Sequence, residues 1–230
     1  MYSERIFINN IDIAEFSAKA LRDSIKIGGT EVKNDYFQGR NRTNYMLMSS
    51  TFGLKSVNFS LVYIHKYLRG ALENKSKCEA EMFNGCEIYF PSDFYYRCMI
   101  SSIGDAVIKG VDGNQVLVEV KYKLLGIQHD KLEEVENGAT FVAKGTMPQM
   151  DCILEVVVGE DAESYELSGA VFGAVVAGDV LTFDGINKRF LKNGAHTTAK
   201  EWISFPYIKS GLNHVTAVDP VKVKYYPCYI

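Results

Sequence analysis

The sequence predicts a mainly β fold, all-β apart from one amphipathic helix, in two domains covering residues 1–135 and 136–230. Three observations lead there. Most segments alternate apolar and polar residues, the period of two that a half-buried strand requires. Turn dipeptides stand between them at Asp112-Gly113-Asn114, Asn137-Gly138, Asp184-Gly185 and Asn193-Gly194, residue types that accept the backbone of tight hairpins. One stretch, Ile64 to Gly85, changes to helical spacing.

In chain order, "VNFSLVY" sets Val57, Phe59, Leu61 and Tyr63 on one face against Asn58 and Ser60. β-Branched and aromatic side chains fill the run, as a pleated, partly covered surface favours. In "IHKYLRGALENKSKCEAEMFNG", apolar residues recur at Ile64, Leu68, Ala71-Leu72, Met82 and Phe83. Good helix formers fill its centre and Asn84-Gly85 is a stop signal, so a helix within 64–85 is expected, lying against the strand that begins at Cys86. The clearest strand is "VLVEVKYKL", where Val116, Val118, Val120, Tyr122 and Leu124 oppose Leu117, Glu119, Lys121 and Lys123. The stretch "QHDKLEEVENG" (Gln128 to Gly138) is charged, lacks aromatics and ends in a turn, the character of a boundary. After it come repeated turn signals and no helical pattern, the signature of a β-sandwich or jelly roll. Within that half "DVLTFDGINKRFLKNG" (Asp179 to Gly194) reads as a hairpin with one apolar face, and Val221, Val223 and Tyr225 oppose Lys222 and Lys224 in a closing strand.

With 230 residues, two domains can each bury a core. Its 25 basic and 28 acidic residues leave a net charge of −3, unlike a protein held on nucleic acid by phosphate attraction. The start, "MYSERIFINNIDIAEF", has no apolar run of signal-peptide type. The most apolar stretch, Gly169 to Gly178, falls well short of the about 20 residues that span a bilayer, so neither export nor a membrane anchor is expected. Cys78, Cys86, Cys98, Cys152 and Cys228 are odd in number and lack Cys-x-x-Cys spacing. They suit buried, reduced thiols better than a disulfide framework or a zinc site. Sequons at Asn41, Asn58 and Asn74 carry no meaning without secretion.

Residues equipped for chemistry are sparse. His65, His129, His196 and His214 have no metal-ligand spacing, no serine sits in a nucleophile elbow, and the glycines follow no phosphate or dinucleotide loop. Among carboxylates, Asp151 and Glu155 share parity on "MDCILEV", while Asp179 and Asp184 flank the hairpin at positions where turn-capping aspartates are expected. No catalytic, cofactor-binding or metal residue is assigned, and an enzyme is not expected. The stretch "NDYFQGRNRTN" instead places Tyr36 and Phe37 beside Arg40 and Arg42 in a polar loop. Tyrosine and arginine are enriched where proteins meet, so these residues are the candidate oligomer or partner interface. Trp202, in "KEWISF", shares a face with Ser204 opposite Ile203 and Phe205; packing within or beside the core is its expected fate. The alternative reading of the chain is a carbohydrate-binding β-sandwich module for host cell-surface glycans, with Trp202 or clustered tyrosines stacking on sugar rings.

The order of motifs resembles the distal tail (Dit) proteins of long non-contractile-tailed phages and related prophages. "FINNIDI" (Phe7 to Ile13) is similar to the family's opening strand, with Asn10 where a glycine is usual. "IYFPSDFYYRCMIS" (Ile88 to Ser101) resembles its strand after the helix. "AGDVLTFDG" (Ala177 to Gly185) and "FPYIKSGLNHV" (Phe205 to Val215) resemble two strand motifs of its second half, and "VKYYPCY" its terminal strand, with Cys228 replacing an arginine. The resemblance implies an N-terminal split β-sandwich or barrel that forms a ring, commonly a hexamer, and a C-terminal galectin-like sandwich projecting from it. It implies a ring that joins the tail tube protein to the tail-associated hub protein or baseplate and supports receptor-binding proteins. DNA would pass through its lumen without specific binding, and no cofactor is implied. Such a protein would be made in the bacterial host cytoplasm and reside at the virion tail tip.

Overall fold

The computed structural model describes residues 5–40, 43–91 and 94–230; its contacts divide after Gln128 into two compact units, each with its own core. The strands of the first unit are β1 (Phe7–Ile8), β2 (Ile11–Asp12), β3 (Ala18–Ala20), β4 (Lys26–Ile27), β5 (Val32–Gln38), β6 (Tyr45–Phe52), β7 (Lys55–His65), β8 (Cys86–Tyr89), β9 (Tyr95–Ile103), β10 (Val107–Asp112) and β11 (Gln115–His129). A helix, α1 (Leu68–Ala80), joins β7 to β8, and 3-10 turns occupy Ile13–Phe16 and Arg22–Ser24. The main sheet curls into a half-barrel in the order β2-β1-β8-β9-β11-β7-β3, with β4 on β7 and β10 on β11.

At its centre β7 and β11 pair without a break from Val116↔His65 to Gly126↔Lys55. Alternation turns Val57, Phe59, Leu61 and Tyr63 of one strand, and Val118, Val120, Tyr122 and Leu124 of the other, into the core, all buried. Burial of each such side chain stabilises the fold by about 1.5–3 kcal/mol, so this double row supplies much of the drive for the unit. At the first hairpin the expected departure from glycine is accommodated: Asn9 and Asn10 adopt φ of 50° and 65°, a left-handed backbone that asparagine tolerates. Asn9 also accepts from the Glu87 N–H and donates to the Glu81 carbonyl, tying the turn to the neighbouring strand.

The helix falls within the 64–85 stretch, at Leu68–Ala80. Ile64 and His65 remain in β7, opposite Leu117 and Val116, because the ladder to β11 satisfies their backbone better than a helical start would. It lies over β7 and the Ile13–Phe16 turn, and it also meets the expected strand, because its Cys78 thiol is near enough to Cys86 of β8 to help raise that thiol. Its buried residues are Ala71, Cys78 and Glu79, and Met82 is buried in the turn just after it, whereas Leu68, Leu72 and, in that turn, Phe83 are exposed. Small side chains let the helix approach the sheet, and the buried carboxylate is satisfied there. Glu79 accepts from Lys75 Nζ at 2.8 Å and from the Tyr122 hydroxyl at 3.1 Å; that hydroxyl lies 2.8 Å from the one on Tyr63. Burial pushes both phenols far upward and the Cys78 thiol to about 11, so all three stay neutral. Cys86 and Cys98 sit opposite each other across β8 and β9 as free thiols, each pushed by burial to about 12.

The second unit contains β12 (Glu133–Val135), β13 (Thr140–Ala143), β14 (Met150–Val157), β15 (Tyr165–Leu167), β16 (Ala170–Phe172), β17 (Val180–Asp184), β18 (Arg189–Lys192), β19 (Ala195–Thr197), β20 (Tyr207–Ile208), β21 (Gly211–His214), β22 (Val221–Tyr225) and β23 (Cys228–Tyr229). Its main sheet runs β12-β22-β14-β17-β18-β19, with β20 pairing the start of β14. Cys152, Leu154, Val156, Leu181, Phe183, Phe190, Val221, Val223 and Tyr225 share its core with Phe141 of the β13–β21 ribbon and with Leu167 and Phe172 of the β15–β16 ribbon. On the opposite face Lys222 binds both Glu134 and Glu136, at 2.7 and 2.8 Å, and these carboxylates hold its ammonium above the ordinary lysine range.

The β17–β18 hairpin turns through residues 185–188, one step beyond the Asp184-Gly185 pair. Asp184 caps it, accepting from the Asn187 backbone and side chain and from Arg189 Nε. Burial acts to raise the Asp184 carboxyl, but those hydrogen bonds outweigh it and leave the group below the usual carboxylate range. Gly185 is required by space: a Cβ there would run into the carbonyl oxygens of Pro206 and Cys152. At the second turn Asn193 and Gly194 both take positive φ, 51° and 77°. The Asn193 amide donates to Asp179 and its oxygen accepts from the Val180 N–H. The Lys192 ammonium, the Asn193 amide and the Val176 N–H hold the Asp179 carboxyl down at about 2. The residues around Trp202 form a bend, not an alternating strand, so the indole sits half-exposed at the margin of the core.

Two outcomes follow from these networks. Tyr122→Phe removes a hydroxyl donor from the buried Glu79 carboxylate and should cost about 1–3 kcal/mol, read from the urea midpoint. The lowered Asp179 carboxyl stabilises the native state fully above its unfolded value of about 3.9, and that contribution is lost as pH falls through about 2. Asp179→Asn should therefore flatten the acid limb of a stability-against-pH profile over that window.

Candidate functional site

β5 and β6 form a two-stranded ribbon separate from the main sheet. Their register runs Val32↔Phe52 to Gln38↔Tyr45, with a bulge between Asp35 and Tyr36. Every residue of the ribbon is exposed except Phe52, which is half-buried. An isolated two-stranded hairpin is marginal in water, and this one has little local support. Its links include Ser50 Oγ donating to Asn34 Oδ1 at 2.8 Å, an exposed Lys33–Glu31 pair at 3.6 Å and an edge-on contact between Tyr36 and Tyr45.

The ribbon nevertheless presents large apolar side chains on both faces. Tyr36 (57% exposed) lies opposite Leu47, and Phe37 (62% exposed) opposite Met46, with Tyr45 and Met48 also in solvent. Arg40 is exposed just beyond β5, whereas Arg42 and the sequon residue Asn41 lie outside the described residues. Structure thus joins Tyr36 and Phe37 on one strand of a projecting ribbon. The sequence reading missed their partner strand, "YMLMSSTF". The apolar run Tyr45 to Met48 was its available signal, but without polar alternation it does not announce an exposed strand.

The carboxylates considered for catalysis are dispersed. Asp151 and Glu155 do share the solvent face of β14, but four residues of strand separate their Cα atoms by about 13 Å, beyond the about 5–9.5 Å spanned by paired glycosidase carboxyl groups. Asp151 pairs with Lys188 at 2.9 Å and Glu155 with Lys224 at 3.2 Å. Asp179 and Asp184 are committed to the turns they cap. Among the described residues no group of three or more His, Cys, Asp or Glu side chains is arranged to hold a metal ion. No helix there is long and apolar enough to cross a membrane.

No protein-family profile matches the chain, and no curated protein does. Solved structures match over nearly its whole length. The crystal structure of SPP1 Dit, described as a paradigm of the hub adsorption apparatus in Gram-positive-infecting phages, is 8% identical with a TM-score of 0.69, covering 99% of this chain and 100% of that one. Two structures of the phage P2 baseplate in its activated conformation are also similar. The one with Ca has a TM-score of 0.55 at 8% identity and covers 98% of both chains. The one with Sr has a TM-score of 0.54 at 9% identity and covers 97% of this chain and 98% of that chain. At such low identity the likeness is one of fold, and it takes in both units.

Because Phe37 and Met46 are mostly exposed, Phe37→Ser and Met46→Ser should each leave the thermal unfolding midpoint nearly unchanged, within about 0.5 kcal/mol. Circular dichroism melts check this.

Proposed function

We propose that this chain is a structural protein of a phage tail tip, acting by closing into a ring rather than by chemistry. The observation that carries the reading is the likeness to SPP1 Dit across the full length of both chains. In this reading the first unit forms the ring, of six copies, joining the tail tube protein to the hub, and the second unit offers surface to receptor-binding proteins. DNA passes through the lumen without specific binding.

Physics supports the ring at one place. Head-to-tail closure needs two different complementary patches on each copy, and the β5–β6 ribbon supplies one. Its apolar side chains gain nothing while solvated, and contiguous exposed apolar surface of this kind marks interaction sites. Tyr36, Phe37 and Arg40 are then contact residues, as is Arg42 beside them in sequence. Burial of Phe37 and Met46 against a neighbouring copy would contribute about 1.5–3 kcal/mol each.

Negative-stain imaging with light scattering of the purified protein tests this. Annular particles are expected for the wild type, with a shift to monomer in the Phe37→Ser, Met46→Ser double variant. Rings that persist in that variant would assign closure to a different surface.

A further inference from the structure

We propose that the first unit carries a binding site for a small phosphate-bearing anion, formed by Lys26, Lys121 and Lys123. Cross-strand register sets these residues on one surface. One row runs Lys26↔Asn58↔Lys123 across β4, β7 and β11, and Lys121↔Ser60 stands beside it. Their sequence neighbours Val57, Phe59, Tyr122 and Leu124 are buried in the core, so the alternation of a strand turns Asn58 and the lysines to the opposite, outer side of the sheet. All three lysines are exposed and line a cavity of about 380 Å³ there. The end of β9 closes it, with Ser102 in the wall and the Gly104 N–H donating to the Lys121 carbonyl at 2.7 Å. A Cβ at Gly104 would lie 3.3 Å from that carbonyl oxygen, so glycine permits the close approach.

Charge in this cavity is unbalanced. None of the three ammoniums forms an ion pair among the described residues, and Asp23, the single acid in the wall, pairs with none of them. Glu119, next on the same face of β11, is taken by Lys109 at 3.3 Å. In the second unit, by contrast, Lys192, Lys222 and Lys224 each hold a carboxylate. Two strand residues separate Lys121 from Lys123 by about 6.8 Å, and one intervening strand separates Lys26 from Lys123 by about 10 Å. Those spans are close to the screening length of about 8 Å at physiological salt, so the cations repel one another and a bound anion relieves the repulsion. Phosphate is the class that fits. Every cation in the wall is a lysine, which serves phosphate oxygens as a point charge, and the planar fork that grips a carboxylate through two parallel bonds is absent from it. The Ser102 hydroxyl and Asn58 amide add neutral donors. The volume suits a small ligand. Phe59 and Tyr122, the aromatic residues of the wall, are buried, which leaves no ring on which a base or sugar could stack.

Titration calorimetry of the full chain at low ionic strength tests the site. The probes are inorganic phosphate, pyrophosphate and glycerol 3-phosphate, with citrate as the carboxylate control. At least one phosphate probe should bind saturably, one per chain. Tighter binding of glycerol 3-phosphate than of inorganic phosphate marks a phosphate ester as the source, and the reverse order the free ion. Lys26→Met, Lys121→Met and Lys123→Met should each raise the Kd about tenfold, the loss of one charge-assisted hydrogen bond. Lys77→Met removes the same charge from α1, on the core side of the sheet, and should leave the Kd unchanged. Thermal melts of these variants should match the wild type; where Lys123→Met does not, Lys123→Gln replaces it. No saturable heat with any phosphate probe would overturn the proposal. So would citrate binding as tight as the best phosphate, an affinity that survives in the Lys26→Met, Lys121→Met, Lys123→Met triple variant, or one that falls equally in Lys77→Met. Binding of a DNA duplex, with none of the small phosphates bound, would assign the face to nucleic acid and also overturn it.

Discussion

The first unit depends on the unbroken pairing of β7 with β11. That ladder places two rows of large apolar side chains in register, and its two buried tyrosines meet hydroxyl to hydroxyl at 2.8 Å. Helix α1 is oriented by what it finds there. Glu79 can be buried only where Tyr122 and Lys75 both reach it, because an unpartnered buried carboxylate costs several kcal/mol, on the order of the whole stability margin. The hydrogen-bonded contact therefore selects one seat for the helix, while the apolar contacts of Ala71, Cys78 and Met82 make that seat favourable. Non-directional burial alone would permit the helix to slide.

The ribbon obeys the opposite logic. Tyr36, Phe37, Met46 and Leu47 all remain more than half exposed, so its register is held chiefly by main-chain pairing around one bulge, with the Tyr36–Tyr45 contact and the Ser50–Asn34 hydrogen bond beside it. In the proposed ring a neighbouring copy would complete its burial. The two cores close without these apolar groups. In the second unit the Phe183–Phe190–Phe205 cluster likewise belongs to the core.

Strand alternation was legible wherever one face is buried and the other wet. Val116 to Leu124 and Val57 to Tyr63 alternate for that reason, and both are strands with the expected face inward. Turn chemistry was equally local, as Asn193-Gly194 shows, because positive φ at both residues is a property of the dipeptide. Signals failed where a distant partner decided. The helical spacing beginning at Ile64 gave way to the β11 ladder, and Leu68 and Leu72 did not become core although Glu79 did. Trp202 does pack beside the core as expected, edge-on to Phe190, with its ring half in solvent at the bend.

Local physics thus settled, from residue order, that the chain is mostly β, that one helix interrupts its first half, and where tight hairpins turn. Period, capping and left-handed backbone preference are set within a few neighbouring residues. Which apolar groups remain uncovered depended on the fold, since exposure is a relation between residues far apart in sequence. So Tyr36 and Phe37 could be nominated as contact residues from composition. Their strand partners Leu47 and Met46, and the convergence of Lys26, Lys121 and Lys123 on one cavity, existed only once the sheets had closed.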